Sequence, residues 1–328
     1  TPKKIPLCLD QVEKCFDSVF RILPKEIGDF KSMYCIHDPS FVILIPYIML
    51  ALYYNVKIIV PSIDSTILQK FSYVNDCKPN ILISVPSMLE GLSFAANDVQ
   101  IDLLITCGEP LYISKAKHLI DKLSPVNFYN FYGSTELAPW AFSLDIIDYF
   151  EKIKDPISQI IPIGTPLDLC SSEIINNELL ISCPWTMSGY ISDDINSIDI
   201  PFTNINGINF YKTSDRAFIS DDYYYCDGRL GNEQKINGVR LNIYEVEAMV
   251  SSINEVLQVV VIPTKNKIII LVVTSSRNEI KDLISVKLKS YLDNRIMFKV
   301  SVSKEDLRLN KSGKIDRAFY LDSAQTYL

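Results

Sequence analysis

YKTSDRAFISDDYYYCDGRLGNEQKINGVR, residues 211–240, is where the two halves of this chain join. Before it the pattern is one of α/β layers, and after it comes a small α+β unit. Ala217 to Ser220 and Tyr223 to Cys226 have the composition of two short strands, with Asp221-Asp222 as the turn between them. Such a hairpin sets Asp215 beside Arg229 at its open end. A carboxylate that accepts two hydrogen bonds from a vicinal diol, next to a guanidinium, is a grip for a ribose. Taken alone, the same two residues also suit a surface ion pair in a loop.

Working back from the hairpin, short β-branched runs alternate with helical spacing. Val56 to Val60, Ile81 to Val85, Leu103 to Cys107 and Val126 to Phe131 predict strands, while Ser65 to Val74 and Ser114 to Leu123 predict helices with Asp64 and Ser114 as N-caps. The expectation is a largely parallel sheet covered on both faces, with ligands bound beyond the carboxyl ends of its strands. Polar words fall there: Ser84 in ISVPS, Cys107-Gly108-Glu109 after LLIT, and Gly133-Ser134-Thr135-Glu136 after NFYNFY. Phe131-Tyr132-Gly133-Ser134-Thr135-Glu136 is the most specific. It joins an aromatic ring, a glycine turn, a hydroxyl and a carboxylate, the groups that pack an adenine, let backbone approach, touch a phosphate oxygen and ligate Mg²⁺.

Residues 146–228 change character, with many Gly, Pro, Asn and Asp and short runs such as Glu178 to Ser182. Regular turn signals predict a small barrel or bent sheet. Beyond Arg229, strand-like Glu233 to Ile236, helical Ile243 to Ile253, strands Val256 to Ile262 and Lys267 to Val273, helix Asn278 to Leu292 and strand Lys299 to Ser301 predict an α+β lid. The expected fold class is therefore α/β: a layered sheet-and-helix subdomain over 1–145, a small β-barrel subdomain over 146–229, and a mobile α+β C-terminal lid over 230–328.

Bulk properties narrow the function. The 328 residues are 48% hydrophobic and 22% charged, an ordinary globular balance, and a net charge of −7 without a Lys/Arg run argues against a nucleic-acid surface. The eight cysteines are scattered without a C-x-x-C and read as reduced thiols of a cytoplasmic protein. The two histidines, His37 and His118, leave little for a histidine metal site or a Ser-His-Asp triad, and His118 reads as solvated. Phe41 to Tyr54, interrupted by Pro46, is too short to span a bilayer and reads as a buried core helix, so no membrane partner is expected.

Taken together, these words resemble the adenylate-forming superfamily of acyl-CoA synthetases, luciferases and nonribosomal peptide synthetase adenylation domains. Its usual Y-x-T-G-D and G-R-x-D-x-Q-x-K-x-x-G-x-R are similar to YKTSD and GRLGNEQKINGVR here, and its Y-G-x-T-E to Tyr132-Gly133-Ser134-Thr135-Glu136. The resemblance implies that Asn130 and Tyr132 line the adenine, that Gly133 lets the backbone come close to the bound nucleotide, and that Asp215 and Arg229 hold the ribose. It further implies that Thr135 touches the α-phosphate and that Glu136 holds Mg²⁺. Asn310-Lys311-Ser312-Gly313-Lys314-Ile315-Asp316-Arg317 is similar to N-G-K-x-D-R, which makes Lys314 the catalytic lysine; read alone it is a solvated basic turn. Two departures stand out. Ser214 replaces a glycine, and Gly231 stands at the hinge position usually held by aspartate or lysine, where glycine still permits large backbone rotations. Lys235 and Gly238 fall on the implied thiolation face.

The implied reaction is ATP- and Mg²⁺-dependent adenylation of a carboxylic acid, followed by transfer to a carrier-protein phosphopantetheine or CoA thiol. His37-Asp38-Pro39-Ser40 is similar to the F-D-x-S word of amino-acid-activating members, where the aspartate meets the substrate ammonium; it also suits an Asp-Pro turn capping a helix. Carried over by motif, the acyl pocket is Asp38, Pro39, Val42, Ser84, Ile105, Cys107, Phe131, Pro139 and Trp140. The bulk of Phe131 and Trp140 points to a small or medium α-amino acid, and Cys107-Gly108-Glu109 resembles D-alanine carrier-protein ligases. An aryl or fatty acid is the rival substrate. Thr1-Pro2-Lys3-Lys4 looks like the tail of the family's S-G-T-T-G-x-P-K-G phosphate loop, so an incomplete N-terminal region is expected, and a degenerate nucleotide- or carrier-binding module is the reading from another class.

Overall fold

The computed structural model describes residues 4–28, 32–37, 42–62, 64–191, 201–230, 233–253, 255–274, 279–303, 305–310 and 315–323. Strands β1 (Ser32–Tyr34), β2 (Lys57–Ile59), β3 (Ile81–Ser84), β4 (Leu103–Cys107), β5 (Asn127–Tyr132), β6 (Phe142–Asp145) and β7 (Thr165–Pro166) form one sheet in the order β2-β1-β3-β4-β5-β6-β7. From β2 to β5 the pairing is parallel, and β6 and β7 are antiparallel. Alternate residues of each strand enter different apolar clusters. Leu82, Leu104 and Phe128 join one, and Ile81, Ile83, Leu103 and Ile105 the other, which is why β3 and β4 read as unbroken apolar runs.

Helices cover both faces: α1 (Leu9–Ile22), α2 (Leu44–Tyr54), α3 (Ile67–Ser72), α4 (Val74–Cys77), α5 (Pro86–Ala95), α6 (Ile113–Leu123) and α7 (Ile146–Lys152). Four expectations need correction. Helix α3 is capped by Thr66 and not Asp64, since the helix starts at Ile67 and the Thr66 hydroxyl accepts from Gln69 N while Gln69 reciprocates. Helix α6 starts at Ile113, which puts Ser114 inside the helix, where its hydroxyl donates to Ser251 O at 3.2 Å. Helix α2 buries Tyr47 and Leu50 but leaves Leu52 73% exposed, so only one of its sides is core. Nor is His118 simply solvated. It is half-buried, bonded to Ser93 Oγ at 2.9 Å, and burial lowers its pKa below the ordinary value.

A second sheet is antiparallel: β8 (Ser171–Ile175), β9 (Glu178–Ser182), β10 (Phe202–Ile205), β11 (Ile208–Ser220) and β12 (Tyr223–Arg229), in the order β10-β11-β9-β8 with β12 also on β11. The long β11 changes partner along its length, from β10 to β12, and its register shifts bend the sheet. Helix α7 and β7 still belong to the layers of the first sheet, and β8 opens the second.

After residue 232 come a hairpin, β13 (Glu233–Ile236) and β14 (Val239–Asn242), then α8 (Ile243–Ser251), and a sheet of β15 (Val256–Pro263), β16 (Lys267–Thr274) and β17 (Met297–Val302). Helices α9 (Ile280–Lys289) and α10 (Arg317–Asp322) complete it. Val259 and Val261 face one apolar cluster and Val260 and Ile262 another, so this sheet too is covered on both faces. Among the described residues, no helix is long and apolar enough to cross a membrane.

Candidate active site

A cavity of about 980 Å³ opens at the carboxyl ends of β3, β4 and β5, between the first sheet, the β11–β12 hairpin and the C-terminal unit. Asn130, Phe131, Tyr132, Gly133, Asp215 and Arg229 all line it. Gly133 is dictated by close approach: a Cβ there would lie 2.1 Å from Pro139 O and 2.7 Å from Trp140 Cα. Asn130 is buried and donates Nδ2 to Pro162 O at 3.1 Å.

The hairpin register pairs Asp215 with Arg229, and Asp227 is the extra residue of a bulge on β12 that lies between Gly228 and Cys226. Arg229 Nε is 3.1 Å from Asp215 Oδ1, and the Tyr132 hydroxyl donates to Asp215 Oδ2 at 2.5 Å. Backbone support comes from Thr213, whose hydroxyl accepts Asp215 N at 3.0 Å and donates to Leu179 O at 2.8 Å. Burial raises the Asp215 carboxyl above its ordinary value, against the pull of Tyr132 and Arg229. Burial likewise pushes the Tyr132 phenol well up, so it stays a donor. Ser214 sits at φ +60°, which explains why a glycine is usual in this word.

Thr135 and Glu136 form the short turn Thr135–Leu137 just behind Gly133 and are not among the cavity's lining residues. Glu136 Oε1 accepts from the Tyr190 hydroxyl at 2.9 Å, and its backbone oxygen accepts Met187 N at 2.8 Å. Beside it, Ser134 Oγ is buried without a hydrogen-bond partner. Among the described residues no group of three or more metal-ligating side chains exists. This donor set fits a hard cation that takes one carboxylate from the protein and its other oxygens from phosphate and water, which is the habit of Mg²⁺.

The carried-over acyl pocket divides. Phe131 lines the cavity, but Val42, Ser84, Ile105, Cys107, Pro139 and Trp140 do not. Ile105, Cys107, Phe131 and Trp140 share one apolar cluster, in which Phe131 stacks on Trp140 with centroids 4.3 Å apart and planes at 18°. Ser84 is buried, its Oγ 2.7 Å from Nε2 of His37, which does line the cavity. Asp38, Pro39, Gly231 and Lys314 lie outside the described residues, as do Thr1, Pro2 and Lys3 and the side chain of Lys235. Gly238 is exposed in the β13–β14 turn at φ +83°.

Two ion pairs at this cavity were not read from the sequence. Arg317 gives Nη1 to Glu247 Oε1 at 2.7 Å and Nη2 to Oε2 at 2.5 Å, with its guanidinium 4.6 Å from the Tyr244 ring centroid. Glu247 also accepts Val261 N at 2.8 Å and is 2% exposed. A carboxylate inside the apolar run of α8 was the available signal. Lys115 and Glu90 pair at 2.5 Å with side chains 13% and 10% exposed. Helix α1 was missed as well, although Val12, Cys15, Phe16 and Val19 repeat at helical spacing.

The family model described as AMP-binding enzyme matches residues 10–191. A D-alanine--D-alanyl carrier protein ligase of Staphylococcus aureus is 28% identical over 253 residues, covering 73% of this chain and 51% of that protein. The chain thus spans about half the length of the curated relatives it matches. Among solved structures it is similar to IdnL7, with TM-score 0.81, 18% identity and coverage of 99% of this chain and 66% of that one. It is also similar to the Vibrio cholerae adenylation domain AlmE in complex with glycyl-adenosine-5'-phosphate, with TM-score 0.61, 18% identity, and coverage of 99% and 64%. Both structural likenesses concern the fold.

Proposed function

The chain belongs to the AMP-binding enzyme family, and from that premise we propose that it is the adenylating part of an acid–thiol ligase. A substrate carboxylate attacks the α-phosphorus of ATP, pyrophosphate leaves, and the acyl-adenylate is then taken by a thiol. The observation that carries this reading is the Tyr132–Asp215–Arg229 array at the cavity wall. A half-buried carboxylate oriented by a phenol and a guanidinium keeps lone pairs for the ribose hydroxyls. Gly133 lets the adenosine lie close to backbone, Thr135 meets the α-phosphate, and Lys314 brings positive charge as the pentavalent centre forms. Glu136 would hold Mg²⁺, which would supply charge neutralisation to the phosphate oxygens. We divide the chain functionally into 1–145, 146–229 and 230–328, with Gly231 as pivot and Lys235 and Gly238 on the face that meets the thiol.

The proposed substrate is a small or medium α-amino acid, its ammonium met by Asp38, and the proposed acceptor is a carrier-protein phosphopantetheine. Support comes from the bulk of Phe131 at the cavity wall, which takes space an aryl or fatty chain would need, and from the carrier-protein ligases among the relatives. ATP–pyrophosphate exchange, with amino acids set against their des-amino analogues and Asp38→Ala beside the parent, tests it. Preference for the des-amino acids, or unchanged exchange in Asp38→Ala, refutes the amino-acid reading. Nucleotide binding with no exchange for any acid refutes the enzymatic one.

A further inference from the structure

We propose that Cys170 and Cys183 are a redox-sensitive dithiol, closed to a disulfide by hydrogen peroxide and reopened by thiol reductants. The β8–β9 register pairs Ser171 with Ser182, so the next facing pair outward is Cys170 and Cys183. Neither amide is given to the facing residue: Cys170 N donates to Leu167 O at 2.9 Å and Cys183 N to Thr186 Oγ1 at 3.1 Å. Facing residues that exchange no backbone hydrogen bonds have Cα atoms about 4.5 Å apart, inside the roughly 4.4–6.8 Å that a disulfide spans.

Both thiols are free and half-buried, next to exposed Pro184, so a small oxidant reaches them. Their roles differ. The Thr186 hydroxyl donates to Cys183 Sγ at 3.4 Å, while a hydrogen bond to Cys183, and then burial, push the Cys170 thiol well up. Because the Thr186 hydroxyl donates to its sulfur, Cys183 is assigned as the attacking thiol and Cys170 as the resolving one. Attack of the Cys183 sulfur on one peroxide oxygen breaks the O–O bond and leaves a sulfenic acid and water. The Cys170 sulfur then displaces hydroxide from that sulfenic sulfur and gives up its proton. The S–S bond forms and a second water leaves, so two thiols lose two electrons and peroxide gains both. Cys15, wholly buried, donates its thiol to Trp140 O at 3.4 Å and stands outside this exchange.

The pair acts on the turn that follows it. Trp185 Nε1 donates to Trp140 O at 2.9 Å and Met187 N to Glu136 O at 2.8 Å, so closing 170 onto 183 tightens the segment behind Trp140 and Glu136. Trp140 and Trp185 are the chain's two tryptophans, which makes intrinsic fluorescence a local reporter that needs no activity.

The test treats the protein with hydrogen peroxide and follows free thiols after denaturation, non-reducing peptide maps and tryptophan emission. Expected are loss of two of the eight thiols, a Cys170–Cys183 crosslinked peptide, and an emission change reversed by dithiothreitol. Cys170→Ser and, in case it folds poorly, Cys170→Ala should show neither crosslink nor reversible emission change. Thiols at 170 and 183 that stay reduced or oxidise separately overturn the proposal, as does a crosslink from Cys183 to Cys15.

Discussion

Asp215 and Arg229 face each other across β11 and β12 at 3.1 Å, yet they are unequally solvated: the Asp215 side chain is 17% exposed and that of Arg229 63%. The exposed guanidinium contributes little to stability by itself. Its consequence is orientation, because together with the Tyr132 hydroxyl it leaves the half-buried carboxylate one setting.

Asp215→Asn should therefore weaken AMP binding by about 1.5–3 kcal/mol, roughly ten- to a hundredfold, in calorimetric titration, without unfolding the chain. Because burial raises this carboxyl, it takes up its proton at a higher pH than an ordinary aspartate. Affinity, which uses the ionised form, should fall on acidification from above the usual aspartate range. Asp215→Asn should lack that limb, and a parent whose affinity is flat down to ordinary aspartate values would exclude the carboxylate from binding.

Ser214→Gly should stabilise the chain. A non-glycine residue at φ +60° costs on the order of 1 kcal/mol, offset in part by the greater freedom glycine has when unfolded. A rise in the urea midpoint of a few tenths to about 1 kcal/mol equivalent is expected, with nucleotide affinity unchanged.

Gly133→Ala should do the reverse. Its Cβ would press on backbone atoms of Pro139 and Trp140, which yield only by moving the turn that carries Glu136. Overpacking of this kind costs about 1–3 kcal/mol, and thermal melts together with AMP titration would register both losses.

Glu247→Gln removes the buried carboxylate opposite Arg317 and leaves a guanidinium facing an amide. Breaking such a pair from one side costs about 3–5 kcal/mol. Denaturation should then show the C-terminal unit melting first, by loss of hydrogen-exchange protection over 236–320. Uniform protection across the chain would show the pair to be replaceable.

Lys314→Ala is expected to leave AMP binding intact and to slow pyrophosphate exchange by about a hundredfold, the cost of one preorganised charge at roughly 3 kcal/mol. An unchanged exchange rate would remove it from the adenylation step.

What the amino-acid sequence determined by itself was local. The apolar runs of β3 and β4, the Asp221-Asp222 turn of the hairpin and the order of the polar words follow from period, turn chemistry and short-range sterics, which neighbours along the chain impose on each other. Tertiary structure alone decided which side chains share a space. Tyr132 reaches Asp215 from another sheet, and Glu247 meets Arg317 across 70 residues of chain. The placement of Cys170 opposite Cys183 is set by a strand register that spacing does not reveal. Likewise Trp140, read as a pocket wall, packs in the core on Phe131 because the turn at Gly133 brings its backbone against that glycine. Such pairings depend on packing and desolvation between segments remote in sequence, and those energies exist only once the chain has closed on itself.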